Sequence, residues 1–139
     1  MIIAVDFDGT IVQNRYPEIG SEMPFATPTL KMLISEGHRL ILWTVRNGHR
    51  LDEAVEWCRK RGVEFYAVNK NHPHEEYDPN GRHSVKLKAD VFIDDRNIGG
   101  MLSWATIYSL IHERTTLEEA LRREILDSET KRKRKWWPF

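Results

Sequence analysis

Ile2-Ile3-Ala4-Val5-Asp6-Phe7-Asp8-Gly9-Thr10 opens on an unbroken apolar run and ends on two carboxylates and a glycine. A strand with one wet face would alternate apolar and polar residues. Ile2 to Phe7 does not, and so reads as a buried parallel strand that delivers Asp6 and Asp8 to its carboxyl end. The same pattern returns in Arg39 to Val45, which ends at Thr44, in Val63 to Val68, and in Val91-Phe92-Ile93, which stops at Asp94-Asp95. Helical stripes separate these runs. Thr27 is the predicted N-cap of the first helix, with Pro28 at its first position, Leu30, Leu33 and Ile34 as its apolar face and Gly37 as its stop. Leu51, Ala54, Val55 and Cys58 recur at i, i+3, i+4 and i+7 in the second, which Gly62 ends. Strands alternating with helices imply crossover units and a mainly parallel sheet covered on both faces, an α/β, doubly wound fold.

The remaining segments are less regular. Ile11–Phe25, with Pro17, Gly20 and Pro24, reads as a loop or small flap, and Asn69 to Ser84 as a polar loop. Met101 to Ile111 suits a helix or a fifth strand, with Ile107, Tyr108 and Ile111 favouring the helix. Thr115 with Glu118 forms a predicted capping box for a last helix over Leu117 to Leu126. The basic and then aromatic run 131–139 is expected to be a flexible tail behind one domain spanning 1–130.

Length and charge narrow the class. A chain of 139 residues fits one domain and needs no disulfide to fold. Lys+Arg and Asp+Glu both number 21, and this balance argues against a protein built chiefly to coat nucleic acid or an anionic membrane. The one cysteine, Cys58, excludes an internal disulfide and a cysteine zinc cage, and fits a reducing cytoplasm. No stretch approaches the ~20 apolar residues of a membrane span. The Met1–Val5 run, cut by Asp6 and lacking a basic flank, does not read as a signal peptide. The expectation is a soluble cytoplasmic protein with no membrane partner.

In an open parallel sheet, ligands bind outside the carboxyl ends of the strands. That edge would carry Asp6, Asp8, Thr44, Asp94 and Asp95, with Lys86 and Lys88 just before the last strand. Clustered carboxylates repel unless a cation lies among them, and hard oxygen donors at this density suit Mg²⁺, which often bridges to a substrate phosphate. A lysine and a hydroxyl nearby would hold the remaining phosphate oxygens. One carboxylate of the Asp6/Asp8 pair can attack phosphorus while the other handles the proton of the leaving oxygen. Asp8 in that role would need its pKa pushed upward. Gly9 would let successive backbone N–H groups point at the phosphoryl oxygens.

Asp6-Phe7-Asp8-Gly9-Thr10 resembles the first motif of the haloacid dehalogenase (HAD) superfamily of phosphohydrolases. Thr44 at the end of LILWT resembles its second motif, Lys86 its third, and Val91-Phe92-Ile93-Asp94-Asp95 its fourth, in family order. The runs RYPEIG, LILWTVRNG, EAVEWCRKRGVEFYAVN and ADVFIDDRNIGG look like a subgroup of small, capless members. The resemblance implies a Rossmann-like core and a Mg²⁺-dependent phosphatase working through an aspartyl-phosphate. Asp6 is then the nucleophile and a metal ligand. Asp8 is the general acid/base, with its backbone carbonyl on the metal. Thr44 and Lys86 stabilise the phosphoryl group, with Lys88 competing for the lysine role, and Asp94 and Asp95 complete the Mg²⁺ shell. Gly9, Thr10 and Arg46 are expected substrate contacts. The gaps between motifs hold no folded cap. An open site suits either a phosphate on a macromolecule, such as a nucleic-acid terminus, or a phosphorylated small molecule shielded in a homo-oligomer. The alternative from another class is a non-catalytic phosphate- and Mg²⁺-binding regulatory module that holds nucleic acid through its basic tail.

Weaker signals have plainer readings. His72, His74, His83, Glu75, Glu76 and Asp78 match no zinc spacing and read as a solvated loop. Arg96, Arg15 and Tyr16 are further candidate substrate contacts. Trp43, Trp57 and Trp104 fit core or subunit contacts, and Cys58 a packing position. Lys131–Lys135, with Trp136 and Trp137, has the composition of a nucleic-acid contact or a solvated tail.

Overall fold

The structure, a computed structural model, describes residues 1–82 and 84–136. His83 of the histidine-rich loop and Trp137 of the tail therefore lie outside the described residues. The chain divides into two compact units, one over Met1–Trp104 and a second beginning at Ala105.

The first unit is built on a four-stranded parallel sheet in the order β5-β4-β1-β6, formed by β1 (Ile2–Val5), β4 (Arg39–Leu42), β5 (Ala67–Val68) and β6 (Val91–Ile93). Two helices, α1 (Ala26–Ser35) and α2 (Gly48–Lys60), make the β1–β4 and β4–β5 crossovers. The α/β expectation holds, with a mostly parallel sheet. The chain runs from β1 outward to β5 and then returns past β1 to β6, so the strand order reverses between β1 and β6. Such a reversal opens a crevice at the carboxyl ends of the two strands. Asp6 and Asp94 leave those strands side by side, with the Asp6 N–H donating to the Ile93 carbonyl at 3.0 Å.

Side chains alternate across the sheet, so Ile3 and Val5 face away from Ala4. All three are buried, as are Leu40, Ile41, Leu42 and Ile93. On the Ala4 face, Ile41, Ala67 and Leu87 close a cluster with the partly buried Ile2, Trp43, Tyr66 and Ala89. Leu87 belongs to the long β5–β6 connection, so irregular chain provides packing on this face.

Several boundaries differ from the sequence reading. The third strand pairs only over Ala67–Val68, because the Val63 N–H closes the end of α2 on the Cys58 carbonyl at 3.0 Å. The segment after Gly9 is an antiparallel hairpin, β2 (Val12–Arg15) and β3 (Glu18–Glu22), rather than a loop. Thr27 is not the N-cap of α1. The cap is Phe25, at φ 65°, and Thr27 lies in the first turn, where the Glu22 carboxylate accepts both its N–H (2.8 Å) and its hydroxyl. A carboxylate from β3 thus does the work a capping side chain would do, and ties the hairpin to the helix.

In the second unit, α3 (Trp104–His112, whose first residue belongs to the first unit) resolves the helix-or-strand ambiguity as a helix. The last helix, α4, runs Leu117–Trp136, ten residues beyond its predicted end. Its capping box is Thr116 with Glu119, one residue later than predicted, the Glu119 carboxylate accepting the Thr116 N–H at 3.1 Å and Thr116 Oγ1 the Glu119 N–H at 3.2 Å. Ser128 and Thr130 keep their hydroxyls on the Ile125 and Leu126 carbonyls. Lys133, Arg134 and Lys135 complement the dipole at the C-terminal turn. Lys131–Lys135 is therefore helical. Among the described residues, no helix is long and apolar enough to cross a membrane.

Replacing Glu22 by alanine leaves the nearly buried Thr27 N–H and hydroxyl without their acceptor. We expect a loss of about 1–3 kcal/mol, read as a lower urea midpoint with unchanged far-UV circular dichroism. An unchanged midpoint would show that Glu22 does not cap α1.

Candidate metal and phosphoryl site

β1 ends at Val5 because the chain turns sharply after Asp6. The Phe7 carbonyl accepts the N–H groups of Thr10, Ile11 and Val12 at 3.2, 2.9 and 3.2 Å, and the Gly9 N–H donates to the Val12 carbonyl at 2.7 Å. This turn needs glycine twice over. Gly9 has φ +87°, and a Cβ there would stand 2.3 Å from Asp95 Oδ2. The Gly9 and Thr10 N–H groups are both spent inside the turn. Gly9 instead makes room for Asp95.

Asp6, Asp94 and Asp95 each place a carboxylate oxygen so that the three lie within 4.8 Å of one another. The fully buried Thr10 organises two of them. Its hydroxyl proton is shared between Asp6 Oδ2 (3.1 Å) and Asp95 Oδ1 (3.2 Å), and its oxygen accepts the Asp95 N–H at 3.1 Å. The Trp104 indole N–H holds the Thr10 carbonyl at 3.1 Å. Thr10 therefore cannot touch substrate as expected; it orients the acids. Asp94 Oδ1 accepts the Arg96 N–H at 2.9 Å, closing a tight turn.

Carboxylates this close resist ionising together. Burial, the hydrogen bond that a protonated Asp6 carboxyl donates to Asp95, and the charge of Asp94 push Asp6 up to about 7. Oxygen-only, anionic donors crowded in this way fit a hard divalent cation, whose charge would offset their mutual repulsion.

The Asp8 carboxylate is not in this cluster. It faces Arg46, whose Nε–H and Nη2–H donate to its two oxygens at 2.7 and 2.8 Å. The Arg46 side chain is fully buried, and its remaining donors reach the carbonyls of Pro17 (3.2 Å), Glu18 (2.9 Å) and Arg50 (3.4 Å). A guanidinium has five N–H donors, and all five are used. Arg46 therefore has nothing left for a phosphate, contrary to expectation. Its own pKa is held above the ordinary arginine value, the bond to Asp8 outweighing burial.

A cavity of about 520 Å³ opens beside the acids, lined by Asp6, Asp8, Asn14, Tyr16, Trp43, Thr44, Val45, Asp94 and Arg96. Thr44 is well prepared for an anion. Asn69 Oδ1 accepts its N–H at 2.8 Å, and its Oγ1 accepts the Arg46 N–H at 3.1 Å, leaving the hydroxyl proton for a guest. Tyr16, Trp43 and Arg96 line the cavity, and Arg15 does not. Lys86 and Lys88 are exposed and do not line it either. Lys86 Nζ lies 5.9 Å from the centre of the Phe92 ring. Asn14, Asn69 and Trp104 escaped sequence reasoning. Asn69 has a faint signal, since asparagine tolerates the left-handed backbone it adopts at φ 53°. Cys58 is buried, and burial pushes its thiol up to about 12, as suits a packing residue.

No family model matches the chain, and no curated protein matches it. Among solved structures, that of a conserved protein coded by a locus from Bacteroides thetaiotaomicron is similar, at 60% identity and a TM-score of 0.78. The match covers 85% of this chain and 94% of that one. The chain belongs to the family of this conserved Bacteroides protein.

Asp6 titrates well above its value of 3.8 in an unfolded chain. A raised carboxyl binds protons more tightly in the folded state, so its contribution is present below pH 3.8 and is lost as pH rises through about 7. Melting temperature in chelator should therefore carry a downward component across that range, and Asp6→Asn should remove it. An identical pH profile in the variant would contradict the crowding of Asp6.

Proposed function

We propose that the protein is a phosphohydrolase of the HAD type, dependent on Mg²⁺ and acting on phosphate monoesters through an aspartyl-phosphate on Asp6. The observation that supports this reading is the convergence of Asp6, Asp94 and Asp95 at the β1–β6 reversal, beside a cavity that also presents Thr44 and Arg96. Asp6, Asp94 and Asp95 would hold the cation, whose charge neutralises the transferred phosphoryl oxygens when it is bound.

The chain's own groups divide the remaining work. Thr10 orients one Asp6 oxygen and so leaves the other to attack phosphorus. As the new P–O bond forms, the bond to the leaving alcohol breaks, and Asp8, lining the same cavity and protonated on an outward lone pair that Arg46 leaves open, supplies that oxygen's proton. Water, losing a proton to Asp8, then displaces Asp6 from phosphorus and releases inorganic phosphate. The Thr44 hydroxyl and the Arg96 guanidinium bond the equatorial oxygens. Lys86 enters this scheme only by rotating from Phe92 toward Asp94, a reach its flexible four-carbon stem permits. With no cap in this reading, the β2–β3 hairpin forms the cover through Asn14 and Tyr16.

A second reading keeps phosphate and Mg²⁺ binding without turnover, and the position of Lys86 outside the cavity favours it. A panel of phosphate esters, assayed for inorganic phosphate with and without Mg²⁺, separates the two. Mg²⁺-dependent release that falls at least about 1,000-fold in a folded Asp6→Asn variant is the expected result. Comparable turnover in the variant would remove Asp6 as nucleophile. Ligand binding with no release from any ester, including a 5′-phosphorylated oligonucleotide, would favour the non-catalytic module.

A further inference from the structure

Arg46 joins the hairpin, the acid turn and helix α2 at once through hydrogen bonds. Its five donors go to Asp8, to Pro17 and Glu18 at the hairpin tip, and to Arg50 in the first turn of α2. Its planar group also lies between two rings, 5.2 Å from the centre of Phe7 and 5.1 Å from that of Tyr16. A buried charge is tolerated only when it is paired and its donors are satisfied. Here the satisfaction comes from three separate segments, so moving any one of them strips donors from a desolvated guanidinium. The three segments are thereby fastened to one another.

The consequence reaches the cavity. Asp8 would otherwise turn about its side-chain bonds, as Asp6 does not because of Thr10. The two-pronged bond from Arg46 fixes both Asp8 oxygens in one plane and leaves each with its outward lone pair. Tyr16, which lines the cavity, is held over the same guanidinium. We propose that Arg46 is a positioning residue that sets the Asp8 carboxylate and the hairpin wall of the cavity as one unit, so that Asp8 meets the leaving-group oxygen of a bound phosphate ester.

Lysine cannot reproduce this. It offers a point charge with three donors where five directed ones are needed. The inference rests on the phosphohydrolase reading for its link to Asp8, and the test separates the two. Arg46→Lys, checked for folding by circular dichroism, is compared with wild type on an alkyl phosphate and on an aryl phosphate with an acidic leaving group. The quantity measured is kcat/KM, which reports the steps through first phosphoryl transfer. Proton donation matters most for the poor leaving group. The expected loss is about 10- to 100-fold on the alkyl ester and under about 3-fold on the aryl ester. Equal losses on both would assign Arg46 a purely structural part and overturn the link to Asp8.

Amide exchange across Val12–Glu22 tests the other half without reference to turnover. Faster exchange there in the variant, with Ile2–Val5 and Arg39–Leu42 unchanged, is expected; unchanged exchange in the hairpin would overturn the proposal. Arg46→Gln, which keeps a neutral amide donor, is read in the same way if the lysine variant does not fold. Should wild type hydrolyse no ester, the phosphohydrolase reading fails and amide exchange alone decides the role of Arg46.

Discussion

Three carboxylates held within 4.8 Å of one another are the constraint around which the first unit is arranged. Left alone they would spread apart, and the local structure is what prevents it. Parallel pairing of β1 with β6 fixes the distance between the Asp6 and Asp94 backbones. Thr10, buried and anchored by the Trp104 indole, bridges Asp6 to Asp95 with a single hydroxyl. Gly9 is present because any side chain there would displace Asp95. Burial first, then the bond toward Asp95 and the charge of Asp94, push the Asp6 carboxyl up to about 7. Carboxyls shifted by burial and specific partners in a cleft are characteristic of functional sites.

Asp6 and Asp8 show how two carboxylates two residues apart acquire different chemistry. Asp6 is surrounded by acids and one hydroxyl, and is pushed toward neutrality near pH 7. Asp8 is clamped by a saturated guanidinium in an ion pair. Separate environments for neighbouring acids are a general route to separate roles in acid–base chemistry. The turn at Gly9 makes the separation possible, because it ends the strand before the alternation of side chains would send both groups to one face.

Much of this was legible in the chain. Apolar runs ending in Asp6, Thr44 and Asp94 gave the strands, and their order with the helices gave the α/β class, because burial on both faces leaves a continuous apolar signature. The acids were legible too, since strand ends bring them to one edge. What escaped was whatever depends on a partner distant in sequence. Glu22 replaces the predicted Thr27 cap because the hairpin brings it there, and no local pattern announces that. Arg46 reads as a substrate contact from its place just past Thr44, yet its partners in the acid turn and hairpin lie 38 and about 29 residues away. Trp104 reads as core, while the use of its N–H on Thr10 depends on the folded chain. The length of α4 was underestimated because Ser128 and Thr130 are poor helix formers until their hydroxyls return to the preceding turn.

Direct titration tests whether Asp6, Asp94 and Asp95 form a cation site. Metal-free protein is titrated calorimetrically with Mg²⁺ at pH 7.5 and at pH 6, beside Asp95→Asn. Saturable binding of one ion is expected, weaker at pH 6 where protons hold Asp6, and lost in the variant. Absence of binding by folded wild-type protein, or binding that survives Asp95→Asn unchanged, would contradict it.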